Sequence, residues 1–354
     1  MNRRDFLHPR RLAQTAGQVL GVLDDLRAVG AEARAQAAEF CLVRYGRRAM
    51  ATTFEVMVPF GTPSGAEAAE EALDEVDRLE AQLTVYRDDS EVSILNRDAP
   101  AGPVPVEEGL YDLLELAARL HRETDGAFDV SVGALIKAWG FYRRRQRVPS
   151  TPDCAEALAR AGMRQVVLDP STRSVRYLCP GLEINLGSIG KGYALDRAAE
   201  LLRSRWGIIG ALLHGGHSSV LAVGTAPGDE RGWPVALRHP WDRERRLAVV
   251  RLRDRALGTS AATFQHLEHN GRKLGHILDP RTGWPAEGLA SASVLAPTAA
   301  EADALATAFY ILGVDRARDY CAAHPEVAAV LLPEGEEARP VVLGTSLEDL
   351  YGSA

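Results

Sequence analysis

Apolar positions recur with helical spacing in several stretches of the chain. Residues 66–83 place Ala69, Leu73, Val76, Leu79 and Leu83 on one face, and residues 106–122 do so with Leu110, Leu113, Leu114, Ala117 and Leu120. A further helix is predicted from near Tyr193, burying Leu195, Ala198, Leu201 and Leu202. The last is announced by Thr298-Ala299-Ala300-Glu301, which has the form of a capping box, and its apolar face holds Leu305, Ala308, Phe309 and Leu312. Strand-like alternation marks 53–58, the pair 165–168 and 174–178 across Asp169-Pro170-Ser171, and 182–186. Short apolar runs at 208–213, 219–223, 233–237 and 247–252 add strands, whereas 59–65 reads as a turn and the arginine-rich 143–153 as a solvated loop. Strands and helices mixed without regular β-α-β alternation predict an α+β fold.

The amino terminus carries two signals. Asn2-Arg3-Arg4-Asp5-Phe6-Leu7 matches the opening of a twin-arginine export signal. His8, Pro9, Arg10 and Arg11 follow where an apolar core is required, and Asp24, Asp25 and Arg27 interrupt the remainder. Leu12, Val19, Leu20, Leu23 and Leu26 recur near helical spacing instead, which predicts a retained amphipathic helix over about 11–40. The expected organisation is a helical extension at 1–46, one domain at 47–345 and a tail at 346–354. A cytoplasmic location is favoured, with periplasmic export as the alternative.

Composition narrows the classes. The formal net charge of −7 argues against non-specific nucleic-acid binding, which needs a basic face to displace counterions. No apolar run is long enough for a membrane-spanning helix. Cys41, Cys154, Cys179 and Cys321 are too scattered for a CxxC pair or a zinc site and read as free thiols. The 41 basic residues include only Lys137, Lys191 and Lys273, so each lysine invites the question of why arginine does not serve there.

Four stretches carry candidate chemistry. Gly187-Ser188-Ile189-Gly190-Lys191-Gly192 lies between a predicted strand and a helix, where backbone N–H groups can face an anion; a tight strand-to-helix turn explains it equally well. It is not a P-loop, because no GKS or GKT follows. Its S-x-x-K match has no K-T-G companion, and Gly216-His217-Ser218-Ser219-Val220 lacks the second glycine of a nucleophile elbow. Asp303 and Thr307 share a helix face, offering oxygen ligands for a hard cation such as Mg²⁺, or else a solvated aspartate near a helix start. His276, ahead of Asp279-Pro280-Arg281-Thr282-Gly283, is a candidate base or a structural histidine. The H-x-x-H pairs His214/His217 and His266/His269 lack a third ligand.

Together these stretches resemble the ApbE family, the FAD:protein FMN transferases. The resemblance runs from about Arg48 to Gly313 through six motifs in order: Ala49-Met50-Ala51-Thr52; Tyr86 to Ser93 with Leu95-Asn96; Gly126 to Gly133; Asn185 to Ala194; His276 to Gly283; and Ala296 to Thr307. It implies an α+β domain with a mixed, largely antiparallel sheet and packed helices. It further implies that FAD is the substrate, that Mg²⁺ assists, and that FMN passes to a Ser or Thr hydroxyl of a client flavoprotein with release of AMP. By matching position, Met50, Tyr86, Ala127, Phe128, Asp129 and Asn185 would contact FAD, with Lys191 beside the nucleotide. Ser188 would offer its carbonyl to the metal alongside Asp303 and Thr307, and His276 would activate the acceptor hydroxyl. Four positions depart from the family pattern: Ala51 replaces glycine, Asn185 a common aspartate, His217 the last residue of G-G-D or G-G-N, and Ala261 the glycine of T-S-G. Two other readings are an FAD pyrophosphatase, in which water replaces the client, and a non-catalytic FAD-binding protein.

Overall fold

The computed structural model describes residues 41–143, 147–242, 245–261, 266–269, 272–335 and 338–344. The predicted amino-terminal helix and the carboxy-terminal tail therefore lie outside the described residues. The centre is an eight-stranded sheet, its strands numbered in chain order: β1 (Leu42–Ala49), β2 (Thr52–Pro59), β3 (Ala211–Gly215), β4 (Ser219–Val223), β5 (Ala256–Ala261), β6 (Leu289–Ala296), β7 (Ala328–Pro333) and β8 (Val341–Leu343). Neighbours in the sheet follow this order and every pairing is antiparallel. The α+β expectation with a largely antiparallel sheet is met.

Seven α-helices occur among the described residues: α1 (Gly65–Leu83), α2 (Glu91–Asp98), α3 (Glu108–Glu123), α4 (Gly133–Ala138), α5 (Thr151–Ala159), α6 (Gly190–Ser204) and α7 (Ala299–Ala323), the last broken at Gly313, where φ is 76°. None is long and apolar enough to cross a membrane. The main core lies between one face of the sheet and the helices, where Phe54, Leu73, Leu114, Leu195, Leu305 and Phe309 are all buried. The other sheet face is covered by an antiparallel ribbon, Trp233–Arg238 with Arg246–Leu252, whose Trp233 is fully buried against that face. A three-stranded sheet of 104–105, 174–177 and 166–169 flanks the helices. All four cysteines are free, as predicted.

Three sequence expectations shift. The predicted strand at 182–186 joins no ladder. The Asn96 side chain takes its place, with Nδ2 donating to the Ile184 carbonyl (2.9 Å) and Oδ1 accepting from the Ile184 N–H (2.8 Å), while Asn185 N donates to Val130 O (2.7 Å). A side-chain amide mimics a neighbouring strand, and alternation alone does not reveal that. Part of the predicted loop at 143–153 opens α5, capped by Ser150, whose Oγ accepts from Asp153 N at 3.2 Å, with Pro152 in the first turn. Finally, residues 42–46, expected as the end of the helical extension, form the start of the edge strand β1. Its Arg44 pairs with Glu55 at 3.0 Å, and its Arg47 reaches Glu70, Asp74 and Asp77 of α1, so charge that discourages edge pairing also disguises the strand.

The β1–β2 hairpin closes on two residues, with Ala49 paired to Thr52. Met50 (φ 48°) and Ala51 (φ 61°) are both left-handed, as a type I′ turn requires. A side chain there costs about 1–2 kcal/mol, and glycine gives back roughly 0.5–1 of that in unfolded-chain entropy. Ala51→Gly is therefore expected to stabilise the protein by about 0.5–1 kcal/mol, read as a raised urea midpoint at unchanged slope.

Candidate active site

The site is assembled where α6 meets α7 beneath β4 and β5. Asp303, in the second turn of α7, is 6% exposed, so the alternative of a solvated aspartate fails. Its Oδ2 accepts from Gly192 N (2.9 Å), an amide in the first turn of α6, and the Ser219 hydroxyl of β4 lies 2.7 and 2.9 Å from its two oxygens. Lys191 Nζ stands 3.9 Å away. Burial pushes the Asp303 carboxyl upward, and Lys191, Ser219 and Gly192 only partly offset it. Thr307, one turn on, has its Oγ1 3.1 Å from Ser260 Oγ of β5.

This proximity depends on two glycines. A Cβ at Gly192 would lie 2.0 Å from the Ala299 carbonyl oxygen, and one at Gly258 would lie 2.4 Å from the Ala302 carbonyl. These two glycines, one in the first turn of α6 and one in β5, thus permit close helix–helix and helix–strand approach. Asp196, four residues after Gly192 on α6, accepts from Ala299 N and Ala300 N at 2.7 and 2.9 Å. Burial, with Asp303 and Glu301 nearby, raises its pKa to about 7 against the pull of those two amides.

Of the predicted residues, Asn185 lines a cavity of about 250 Å³ whose lining also includes Asn96, Lys137, Tyr142 and Glu183. Tyr86, two-thirds exposed, stacks on Tyr142 at 4.8 Å between ring centroids, and Lys137 sits over that ring at 5.3 Å while pairing with Glu183 at 2.6 Å. Asn185 joins the cavity to the glycine loop. It lines this cavity, and its Oδ1 accepts from Gly187 N at 2.9 Å, shaping the loop that leads to Ser188 and Lys191. Met50 is anchored at its N–H by Glu80 Oε1 (2.8 Å).

Ala127, Phe128 and Asp129 are buried with their side chains turned inward. The Asp129 carboxylate is occupied by Ser131, the Met163 N–H and His121, so the side chain supports the fold at this point. Burial works to raise Asp129, but its bonds from His121 and Ser131 outweigh it and hold the carboxyl low. Burial likewise opposes charge on His121, yet Asp129 and the Phe128 carbonyl raise its pKa. The aspartate's contribution is present above its ordinary 3.8 and lost as pH falls through its lower folded value. The histidine's is full below its ordinary 6.5 and lost as pH rises through its higher folded value. Stability from this pair is therefore greatest between about pH 4 and 6.5. His121→Gln is expected to flatten the loss of stability between pH 6 and 8, measured by denaturant melts across that range.

His276 is half-buried, directly after the hairpin 266–269/272–275 and before a loop pinned by Asp279. Asp279 accepts from Arg281 N and Nε at 2.9 Å each, and Gly283 O receives the Trp139 indole N–H at 2.9 Å. Among the described residues no three His, Cys, Asp or Glu side chains converge on one point as a metal site. The oxygen donors the structure brings together are instead the buried Asp303 carboxylate and, one turn on, the Thr307 hydroxyl, to which the family resemblance adds the Ser188 carbonyl in the loop before α6. These are hard oxygen donors around an under-compensated negative charge, and they fit Mg²⁺. Sequence reasoning missed Ser219, Ser260 and Asp196. Ser219 was visible only as part of a failed nucleophile elbow, and Asp196 lies just beyond the glycine motif.

The ApbE family model matches residues 50–331. The chain belongs to the ApbE family. It is 34% identical over 271 residues to the FAD:protein FMN transferase of Klebsiella pneumoniae (strain 342), covering 75% of each chain. Among solved structures, the ApbE protein of Thermotoga maritima MSB8 superposes with a TM-score of 0.77 at 28% identity, covering 87% of this chain and 98% of that one. The flavin transferase ApbE of Vibrio cholerae gives 0.76 at 25% identity, covering 87% and 99%. The ApbE assignment places Asn185, Lys191, Asp303 and His276 within the matched region.

Proposed function

We propose that this ApbE-family transferase moves FMN from FAD onto a Ser or Thr hydroxyl of a client flavoprotein, with Mg²⁺ assistance and release of AMP. The observation that carries the reading is the buried Asp303 carboxylate, gripped by Gly192 and Ser219 with Lys191 beside it and Thr307 one turn on. Such a site suits a diphosphate. The helix α6 amino terminus and Lys191 face negative charge on the phosphoryl oxygens, while Asn185 holds the preceding loop in shape. Asp303, Thr307 and the Ser188 carbonyl would hold Mg²⁺, which when bound offsets charge developing on the phosphate oxygens. The cavity beside Tyr86 and Tyr142 supplies an aromatic platform for a flat ring system.

In the transfer, the client hydroxyl oxygen forms a bond to the FMN-side phosphorus and gives its proton to His276. The bridging P–O bond breaks, and AMP leaves with that electron pair. The chemistry requires a base within reach of the acceptor, and His276 is the histidine that the family resemblance assigns to this role.

Incubation with FAD and Mg²⁺, with and without a client, tests the reading. Covalent flavin on the client supports it. AMP and FMN formed equally well without client would identify a pyrophosphatase, and retained FAD without AMP a binding protein. His276→Ala is expected to slow transfer by about 10²–10⁴-fold, with FAD affinity held within threefold. Parallel loss of both would make His276 structural.

A further inference from the structure

Lys191 and the Ser188 carbonyl belong to α6 and its leading loop, whereas Asp303 and Thr307 belong to α7. The site exists only if the two helices hold one register. A slip of a single residue moves a helix by about 1.5 Å, enough to part hydrogen-bonded groups. Two contacts oppose such a slip. Gly192 N–H meets Asp303 Oδ2 at 2.9 Å. One turn further along α6, Asp196 takes Ala299 N–H on Oδ1 (2.7 Å) and Ala300 N–H on Oδ2 (2.9 Å), the first two residues of α7. Advancing along α6 from 192 to 196 thus moves back along α7 from 303 to 299, which is an antiparallel lock at two points.

The cap is shared. Thr298 Oγ1 accepts from Glu301 N at 3.2 Å and Thr298 O from Ala302 N at 3.0 Å, so the amides of 299 to 302 are all satisfied. An ordinary capping box would use α7's own residues alone. Here the first two amides go to another helix, the one whose first turn carries Lys191. Asparagine cannot replace this carboxylate, because it offers one acceptor oxygen and would turn an NH₂ toward the second N–H.

We infer that Asp196 is a positioning residue: it clamps the start of α7 onto α6, so that Asp303 and Thr307 stand in register with Ser188 and Lys191 for a diphosphate-bound divalent cation. The inference rests on the transferase reading for its ligand and adds the element that sets the metal-side geometry.

The test compares wild type with Asp196→Asn, using Mn²⁺ as the metal probe and FAD as the nucleotide. Calorimetric Mn²⁺ titration in the presence of FAD is expected to show at least about tenfold weaker metal binding in the variant, the size typical of losing a group that orients a metal ligand. FAD affinity without metal is expected to stay within threefold. In turnover, kcat falls and KM for FAD does not. Equal Mn²⁺ affinity in the two proteins, or no Mn²⁺ binding by wild type, overturns the inference, as does a variant that only melts earlier with metal affinity intact. Calorimetry needs no client. A wild type that binds Mn²⁺ but transfers no flavin therefore counts against the transferase reading, while the affinity difference still decides the clamp. If Asp196→Asn does not fold, Asp196→Glu keeps both acceptors one methylene displaced and is expected to weaken Mn²⁺ binding in the same direction.

Discussion

Asp303→Asn is expected to lower Mg²⁺-dependent flavin transfer by at least about 10²-fold, since removing a metal-supporting carboxylate forfeits several kcal/mol of transition-state stabilisation. The same change should leave the metal-free protein at least as stable as wild type. Asp303 is buried and its carboxyl is pushed up, with Lys191, Ser219 and Gly192 compensating only in part. A carboxyl whose folded pKa lies above its unfolded value binds more protons when folded, so it favours folding at low pH and loses that contribution as pH rises. Neutral asparagine removes this cost, and its one carbonyl oxygen can still accept from Gly192 and Ser219. Thermal melts without metal at pH 5 and pH 8 should show the variant gaining relative to wild type at the higher pH. A variant that melts well below wild type at both values, or that releases AMP at the wild-type rate, would contradict the assignment.

The second large effect is structural. Gly192→Ala places a methyl group 2.0 Å from the Ala299 carbonyl oxygen and 2.6 Å from the Ala300 nitrogen. Both are backbone atoms in the first turn of α7, so no side-chain rotation relieves the overlap and the helices must separate. Such overpacking costs about 3 kcal/mol, or roughly a 5–10 °C fall in melting temperature. Separation also lengthens the Gly192–Asp303 contact, so flavin transfer should fall further than the loss of folded protein accounts for. Ala198, on the same helix and buried in the main core, provides the control. Ala198→Gly destabilises α6 by about 1–2 kcal/mol through lost helix propensity and one lost buried methyl group and should leave the specific activity of the folded protein unchanged.

The helices with a broad apolar stripe were legible from the sequence because burial selects their period directly. The predicted 66–83 is Gly65–Leu83, and the capping box before 299 begins α7, with Thr298 capping as expected. The strand at 219–223 was likewise readable. Strand β6, Leu-Ala-Ser-Ala-Ser-Val-Leu-Ala, was not, because it is buried along its whole length, and its small alanines and serines give only a weak strand signal. Edge strand β1 was hidden by the arginines that protect it.

The candidate site divides along the same line. Residue type and spacing within one element named Lys191, Asp303, Thr307 and His276, because the chemistry of an ammonium, a carboxylate–hydroxyl pair and an imidazole is local to each side chain. Family resemblance added Asn185, which lines the cavity, and Tyr86, which stacks on the Tyr142 of its lining. No local pattern could show that Ser219, 84 positions before Asp303, donates to its carboxylate, or that Asp196 holds the amides of residues more than a hundred positions away. Those pairings depend on α6 lying against α7 and on β4 packing against both helices. The sequence by itself determined which groups were on offer and which faces would be buried. Only the packed helices and sheet decided which of those groups meet, because hydrogen bonds act over about 3 Å and are blind to distance along the chain.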